Sequence, residues 1–420
     1  MSFESEFEDR IPEHFGKDAR VEGPLAESGA GRRLHGIDLT PSLTADQVTC
    51  LLDGLANFGI ISIASQDLDR FSLAHFERFA NHWGAPVPHP TNFTRGGKRA
   101  QSDAPTGGTI EWLPFEKRRV AAVNAAFPGE LECLPHESPT VLVVANFSGK
   151  VADSSDDSYF IDKSSLQVGK DTAAPIKVSE GGSWHTDIEY EPLPIYVSMF
   201  LVHRSPVARN ENGTWVDDHD HDTAHPYLED SDEELLRLRK RLPLNGETAF
   251  ADTAAAFAAL PESEQASLET MNVRRRLNEG DKGWLAPLVR VNPRSGIKSL
   301  HSPIWASRPR VRPAIEVDGM SMEDSRTLLD RLEAHCLQPR FRYDHHHVAG
   351  DVTIWSNYMS LHNSPPIKSN ITSIDDARLL YRLSCKGEPA VSLPRNDPQE
   401  WLDEHIAGGY TTPGEMLKLE

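Results

Sequence analysis

The sequence predicts an α+β protein with a mainly β core, a barrel or sandwich with helices packed outside it. Apolar strand-like runs carry the candidate functional motifs, amphipathic segments flank those runs, and no internal repeat is present. A length of 420 residues suggests two or three domains, but motifs spread from 185 to 382 tie that region into one core. We therefore expect a polar N-terminal arm at 1–40, a single domain at 41–395 and a C-terminal tail at 396–420.

Composition disfavours two classes of partner. The chain has 43 Lys and Arg residues against 63 Asp and Glu residues, a formal net charge of −20. A surface this acidic repels phosphate backbones and anionic lipid, so we expect a small-molecule substrate rather than nucleic acid or a membrane. No apolar run approaches the roughly 18 residues of a membrane span, and the first residues lack a secretory pattern. The four cysteines form no CxxC pair, which favours free thiols and a cytoplasmic protein.

The first elements after the arm are predicted in the order helix, strand, helix. Thr44 and Gln47 form a capping box before VTCLLDGLANFG, which has helical apolar spacing and ends at Gly59. IISIA has the pattern of a buried strand, and SLAHFERFANHWG is a second helix that ends at Gly84. These elements form an α/β layer in front of the main body.

The middle of the chain contains two apolar strands separated by a long polar segment. PTVLVVANFSG and IYVSMFLVHR are the strands, and 150–182 between them is a long loop of the kind that is functional or disordered. An insertion follows at 205–242, and its 217–234 stretch holds nine acidic residues. The insertion is a mobile acidic loop in one interpretation, and a lid or an oligomer contact in the other. The second interpretation allows a homo-oligomer.

Helices and strands alternate again in the C-terminal half. DTAAAFAALPESEQASLETM contains two short helices, the second starting at Pro261, and SMEDSRTLLDRLEAHC is an amphipathic helix capped by Ser321. DVTIWSNYMSLH and ARLLYRLSCKG are predicted strands.

Two histidines and one aspartate form the candidate metal site. His185 and Asp187 lie in GGSWHTDIEY, and on a strand residues i and i+2 face the same side. His362 ends the later strand DVTIWSNYMSLH. Two imidazoles and a carboxylate on one face of Fe(II) leave three positions for a bidentate co-substrate and dioxygen. An HxD pair alone is weak evidence for a metal site. The evidence is stronger here because a distant histidine and then a strand arginine follow the pair along the chain.

The strand arginines are Arg378 and Arg382 in ARLLYRLSCKG. Arginine binds a carboxylate in a bidentate manner that lysine cannot reproduce. The two side chains share one face of the strand, so both are expected to point inward.

These motifs together resemble the taurine dioxygenase-like branch of the Fe(II)/2-oxoglutarate-dependent oxygenases. The resemblance spans about 45 to 390 and is densest in WHTDIEYEPLP, LPLNGETAFADTAAAFAALPES, GDVTIWSNYMSLH and RLLYRLSCKG. It implies a double-stranded β-helix, or jelly-roll barrel, with His185, Asp187 and His362 as iron ligands. It also implies that Arg378 and Thr248 hold 2-oxoglutarate, with Thr214 of NGTWVD as the alternative to Thr248.

The resemblance implies oxidation, most simply hydroxylation, of a small polar or anionic substrate with release of succinate and CO2. Arg382 and His89 take the places that contact substrate in the family. The alternative for Arg382 is a surface or salt-bridged arginine, and the alternative for His89 is a structural residue. Asn92 and Gly181 stand where sulfonate-using members have Tyr and Asn, which argues against taurine. Desaturation, cyclisation or oxidative cleavage would use the same ligands. The alternative to an enzyme is a non-catalytic jelly-roll protein that binds a metal.

Several other residues have weaker signals. His345, His346 and His347 are consecutive, and three neighbours on a strand cannot all face one site. Trp184 and Trp355 are expected to pack around the metal pocket, with Tyr190 and Asn357 in its wall.

Overall fold

The computed structural model describes residues 2–84, 114–135, 140–149, 182–189, 194–217, 232–276, 283–307 and 313–385, with a few short pieces between them. Several predictions fall outside the described residues. They concern most of the 150–182 loop, the middle of the acidic stretch, the 396–420 tail, His89, Asn92, Gly181 and Tyr190.

Helices and strands alternate through the described residues. The helices there are α1 (Phe3–Phe15), α2 (Ala45–Phe58), α3 (Leu73–Ala80), α4 (Pro114–Asn124), α5 (Glu233–Lys240), α6 (Thr253–Ala258), α7 (Glu262–Leu268) and α8 (Met322–Cys336). The strands there are β1 (Arg20–Glu22), β2 (Arg32–His35), β3 (Ile60–Ile63), β4 (Thr94–Arg95), β5 (Lys98–Arg99), β6 (Ile110–Glu111), β7 (Leu142–Ala145), β8 (Lys177–Val178), β9 (Val197–Arg204), β10 (Thr248–Asp252), β11 (Asn272–Arg275), β12 (Trp284–Pro287), β13 (Val289–Val291), β14 (Lys298–Leu300), β15 (Glu316–Val317), β16 (Arg342–His345), β17 (Val352–Ser356), β18 (Ser360–Asn363), β19 (Lys368–Ser369) and β20 (Leu379–Cys385).

Two sheets carry the core. The larger has seven strands in the order β1-β2-β3-β17-β9-β20-β7, and the smaller has the order β16-β10-β18. Their facing sides share one apolar cluster, to which β9 contributes Phe200, β10 Phe250, β17 Trp355 and β20 Leu380. The outer face of the larger sheet packs under α1, α2 and α3, and the smaller sheet packs against α5, α6 and α8. The predicted α+β class, with a mixed-sheet core and flanking helices, is correct.

The predicted boundaries of the N-terminal layer are close to those observed. Helix α2 has the capping box formed by Thr44 and Gln47, and it ends at Gly59 in the left-handed region with φ 73°. A glycine adopts that conformation without the penalty that a Cβ would bring. Strand β3 and helix α3 follow where expected. None of the four cysteines is joined to another in a disulfide.

The prediction of a polar arm at 1–40 is wrong. Helix α1 buries Phe7 and Ile11 completely, and β1 and β2 extend the seven-stranded sheet, with β2 parallel to β3. Because Phe3, Phe7 and Ile11 recur every four residues, they form an apolar stripe that the surrounding acidic residues concealed in the sequence. The segment belongs to the main body.

The predicted strand DVTIWSNYMSLH is two strands in different sheets. Strand β17 lies in the larger sheet, a turn at 357–359 changes direction, and β18 lies in the smaller sheet. This turn is important for the site, because it carries the chain from one sheet to the other just before His362.

The described ends of the predicted 205–242 insertion are packed into the body. Trp215 and Val216 are buried, and Trp215 Nε1 donates a hydrogen bond to Asp376 (2.8 Å). Helix α5 lies on α8, where Arg239 Nε donates to Glu333 (2.8 Å). None of the described helices is both long and apolar enough to cross a membrane.

Candidate active site

Three predicted metal ligands converge where the two sheets meet. His185, Asp187 and His362 have ligand atoms within 4.8 Å of one another. Asp187 Oδ1 lies 3.4 Å from His362 Nε2 and 3.9 Å from His185 Nε2. Two backbone hydrogen bonds of 3.1 and 2.9 Å join His185 to His362, so backbone pairing sets the spacing of the two imidazoles.

The HxD pair is not inside a strand, contrary to the argument from strand periodicity. His185 is an isolated bridge residue, and the chain turns from Asp187 to Glu189 with Ile188 at φ 50°. The Glu189 carboxylate accepts from the Thr186 backbone N–H (3.2 Å), which holds the turn together. The side chains of His185 and Asp187 still converge, but bridge and turn geometry brings them together.

The donor set fits a metal ion. Nδ1 of His185 lies 2.7 Å from the Ser183 carbonyl oxygen. A carbonyl can only accept, so Nδ1 carries the proton and Nε2 keeps its lone pair for a metal. Two imidazole nitrogens and one carboxylate oxygen that can share one ion form the facial set that suits Fe(II) and leaves positions open.

Apart from the two histidines, the Asp187 carboxylate contacts two side chains, and a third side chain holds the Asp187 backbone. Arg382 Nη2 forms an ion pair with Oδ1, and the Ser198 hydroxyl donates to Oδ2. Asn357 joins the parts, since its Oδ1 accepts from the Asp187 backbone N–H (3.2 Å) and its Nδ2 donates to Ser198 Oγ (3.1 Å). Burial alone would raise the pKa of this carboxyl, but the charges of Arg382 and the two histidines outweigh burial and hold the pKa well below 3.8. The group is therefore an ionised carboxylate, oriented by its contacts with Arg382 and Ser198.

Arg378 is a buried cation on the same side of the sheet as Leu380 and Arg382. Its Nε donates to the Gly246 carbonyl (3.1 Å), and its backbone N–H donates to Asn146 Oδ1 (2.8 Å). Within the described part of the chain no carboxylate lies at ion-pair distance from its guanidinium. Burial lowers the pKa of Arg378 to about 10, so the group stays charged at neutral pH and can pair with an anion.

The two candidate threonines have different surroundings. Thr248 opens β10, is buried, and lies two residues beyond the Gly246 carbonyl that Arg378 contacts. Thr214 is part of a surface turn in which its hydroxyl donates to the Val216 carbonyl (2.8 Å). The structure therefore brings Thr248 towards Arg378 and leaves Thr214 in the turn.

Three residues of the site carry weaker sequence signals. Ser198 interrupts the apolar run IYVSMFLVHR, and this polar residue inside a buried strand was the signal for it. Asn357 was expected only in the pocket wall. His347 belongs to a run of three histidines that were not expected to share one site, and its Nε2 lies 2.9 Å from Thr248 Oγ1.

The tryptophans separate into two environments. Trp355 packs against His362, with ring centroids 5.4 Å apart. Trp184, although next to His185, belongs to the core on the helix side of the smaller sheet, where Arg342 lies 4.9 Å above its ring. Trp355 therefore packs against a site residue and Trp184 supports the layer behind the site.

A two-histidine, one-carboxylate centre beside a buried arginine defines an Fe(II)/2-oxoglutarate oxygenase type of site. The model of the family "Taurine catabolism dioxygenase TauD, TfdA family" matches residues 146–383, which is more than half of the chain. The chain belongs to this family. Its members are α-ketoglutarate-dependent dioxygenases, which are oxidoreductases that use Fe(II), 2-oxoglutarate (α-ketoglutarate) and dioxygen.

The relatives of this chain include dioxygenases named for phenoxy carboxylates. The (S)-phenoxypropionate/alpha-ketoglutarate-dioxygenase of Sphingobium herbicidovorans is 24% identical over 249 residues, covering 54% of this chain and 70% of the relative. The alpha-ketoglutarate-dependent 2,4-dichlorophenoxyacetate dioxygenase of Cupriavidus pinatubonensis is 33% identical over 138 residues, 29% of this chain and 45% of the relative. The crystal structure of AAD-2 in complex with Mn(II) and N-oxalylglycine covers 89% of this chain and 100% of that chain at TM-score 0.50 and 16% identity, a likeness of fold alone.

Proposed function

We propose that this chain hydroxylates a small organic carboxylate in a reaction that consumes 2-oxoglutarate and dioxygen and releases succinate and CO2. One observation carries the proposal. The cluster of His185, Asp187 and His362 lies at the junction of the two sheets, beside two arginines of strand β20 and its start: Arg378 is buried, and Arg382 is partly buried. This arrangement offers a metal site, a buried cation at Arg378 and a second guanidinium, Arg382, which pairs with Asp187 at the edge of that site.

His185, Asp187 and His362 would hold the metal, which when bound supplies the activation of dioxygen. The Ser183 carbonyl fixes the tautomer of His185, and Ser198 and Asn357 fix the orientation of the Asp187 carboxylate. Such supporting hydrogen bonds keep a ligand set rigid and raise its affinity for the metal.

Arg378 and Thr248 would bind the distal carboxylate of 2-oxoglutarate. A guanidinium with free N–H groups in a buried setting provides a strong bidentate partner for a carboxylate. The Thr248 hydroxyl adds a donor, and both groups lie on rigid strands or at their starts. The burial of this pair excludes water, which strengthens each charged hydrogen bond.

Arg382 supports an anionic primary substrate. It reaches the metal-ligand carboxylate, so its guanidinium lies at the edge of the proposed metal centre. The two named relatives act on phenoxypropionate and 2,4-dichlorophenoxyacetate, which are carboxylates. We propose a carboxylate of similar size, with Arg382 as its cationic partner and His89 as a second contact.

The fold of the proposed enzyme is a jelly-roll barrel. The two sheets face each other across a shared apolar cluster, an arrangement that a distorted double-stranded β-helix would produce. The position of the metal-ligand cluster at the junction of the two sheets supports a jelly-roll barrel.

The experiment is a substrate screen by succinate release under Fe(II), 2-oxoglutarate and air. Small aryloxy and alkyl carboxylates should stimulate the formation of succinate. One oxidised product should form per succinate, and it should carry one atom of ¹⁸O from labelled dioxygen. The exposed variant His346→Leu should behave as the wild type, and Asp187→Ala should be inactive. Products without the label, or succinate release that survives Asp187→Ala, would contradict the proposal.

A further inference from the structure

One buried histidine beside the proposed 2-oxoglutarate site has no role in the account so far. His347 follows β16 and is 3% exposed, whereas its neighbour His346 is exposed. Its Nε2 lies 2.9 Å from Thr248 Oγ1, and its ring packs edge-on against Phe200 with centroids 5.8 Å apart. Within the described residues, its ring nitrogens make one hydrogen bond, to the hydroxyl assigned to the co-substrate, and its ring also packs edge-on against His345 with centroids 5.1 Å apart.

The partners of the two ring nitrogens favour one tautomer. Nδ1 of His347 is buried and has no hydrogen-bond partner among the described residues. If Nδ1 carried the proton, a buried N–H donor would be left unsatisfied, which is rarer in proteins than an unsatisfied acceptor. With the proton on Nε2, the imidazole donates to Thr248 Oγ1 and only an acceptor is left unpaired.

The tautomer decides what the Thr248 hydroxyl can do. A hydroxyl has one proton and two acceptor lone pairs. If His347 accepted from it, that proton would be used inside the protein and could not reach a carboxylate. If His347 donates to it, the proton is free to point to the co-substrate.

We propose that His347 is a positioning residue of the 2-oxoglutarate site, whose Nε2–H donates to Thr248 Oγ1 and so directs the Thr248 proton to the co-substrate carboxylate. The proposal rests on the proposed function, because it assigns Thr248 to 2-oxoglutarate. The proposed function assigns 2-oxoglutarate binding to residues that touch the carboxylate. His347 touches neither the metal nor the carboxylate, and it affects 2-oxoglutarate binding through Thr248.

The electrostatic surroundings keep this imidazole neutral. Burial, the neighbouring His345 and the charge of Arg378 together hold the pKa of His347 well below its ordinary value. A neutral ring leaves Arg378 as the cation of the site and lets the histidine act through hydrogen-bond direction.

The test measures 2-oxoglutarate binding to the Fe(II)-loaded protein by anaerobic calorimetry. His347→Leu should weaken binding by about tenfold, the loss expected when one hydrogen bond to a charged group loses its orientation. His347→Gln, which can place an amide N–H near the position of Nε2, should recover most of the affinity. The matched control His346→Leu should bind as the wild type.

A double-mutant cycle separates positioning from packing. In a Thr248→Val background there is no hydroxyl to direct, so adding His347→Leu should change the dissociation constant by less than about twofold. In steady state, His347→Leu should raise the KM for 2-oxoglutarate while kcat at saturation stays near that of the wild type. These results support a residue that acts through Thr248.

Other results overturn the inference. The inference is contradicted if His347→Leu binds 2-oxoglutarate as tightly as the wild type, if His347→Leu and His347→Gln weaken binding equally, or if the two effects in the cycle are additive. In each of these cases the wild type still binds 2-oxoglutarate, so the proposed function remains intact. If the folded wild-type protein binds no 2-oxoglutarate, the proposed function and this inference fail together. Binding by the wild type therefore distinguishes failure of the inference alone from failure of both. A normal thermal melting temperature identifies variants that are folded.

Discussion

At the scale of single residues, the site depends on how one carboxylate is held. The Asp187 carboxylate accepts a hydrogen bond from Ser198 and pairs with Arg382, and the Asp187 backbone N–H donates to Asn357 Oδ1. These partners come from three different strands or turns. A carboxylate fixed on all sides keeps the same oxygen directed at the metal position, which a freely rotating side chain would not do.

Ser198→Ala should weaken metal binding without unfolding the protein. The substitution removes the hydroxyl that donates to Asp187 Oδ2 and leaves the apolar strand around it intact. Loss of such a supporting hydrogen bond costs roughly 10- to 100-fold in metal affinity in comparable sites. Competition with a chromogenic chelator measures the affinity, with the exposed Ser267→Ala as control. Unchanged affinity would mean that Asn357 and Arg382 orient the carboxylate without Ser198.

Arg378→Ala should raise the 2-oxoglutarate requirement strongly. Removing one partner of a buried charge pair costs on the order of 2–5 kcal/mol, which is roughly 30-fold or more in the dissociation constant. The KM for 2-oxoglutarate measures the effect, and Arg331→Ala, on the exposed side of α8, is the control. A KM within twofold of the wild type would move the carboxylate partner to another residue.

The sequence could predict this site only in part, for a physical reason. His185, Asp187, His362 and Arg378 have side chains whose chemistry is specific and whose order along the chain is informative. Ser198 and His347 are ordinary residues until sheet pairing brings Asp187 and Thr248 next to them. Long-range pairing creates their roles. The local pattern marks Ser198 only as a polar residue inside an apolar strand and does not identify its partner.

At the scale of elements, the N-terminal helix is the clearest difference between expectation and structure. Helix α1 packs on α2 so closely that a Cβ built on Gly54 would lie 2.5 Å from the Phe7 ring. A glycine inside a helix is normally a disadvantage, and here it makes room for the aromatic ring. The helix–strand–helix unit after 41 was predicted well because its caps are local signals, whereas docking of α1 is a tertiary event.

Phe7→Ala should destabilise the whole protein. Phe7 is fully buried and contacts the Phe58 ring with centroids 5.1 Å apart. Truncating a buried phenylalanine typically costs about 3–5 kcal/mol through lost burial and the cavity left behind. Urea unfolding monitored by circular dichroism measures the change, and Glu8→Ala on the exposed side of α1 is the control. A loss below about 1 kcal/mol would restore the picture of a detachable arm.

At the scale of the whole molecule, the net charge of −20 and the proposed substrate have the same sign. The negative exterior disfavours the approach of an anion, and buried arginines attract it only at short range. The charge therefore opposes association with the anion that we propose as the substrate.

Salt should accelerate capture of an anionic substrate. Raising the ionic strength from 0.01 M to 0.15 M shortens the Debye length from about 30 Å to about 8 Å and screens the repulsive exterior more than the buried pairs. We expect kcat/KM for a carboxylate substrate to rise by about twofold or more. A neutral ester of the same substrate provides the control and should show no such rise. A fall with salt would indicate a cationic entrance in place of an acidic one.

In the proposed enzyme, His185, Asp187 and His362 hold Fe(II) while Arg378 and Thr248 hold 2-oxoglutarate beside it. The most direct measurement is anaerobic absorption spectroscopy during addition of Fe(II) and then 2-oxoglutarate. Chelation of the metal by the keto acid should produce a weak visible charge-transfer band in the wild type. Asp187→Ala should abolish the band, and Arg378→Ala should shift its appearance to higher 2-oxoglutarate concentration. A folded wild-type protein without a band, or a band that survives Asp187→Ala unchanged, would contradict the account.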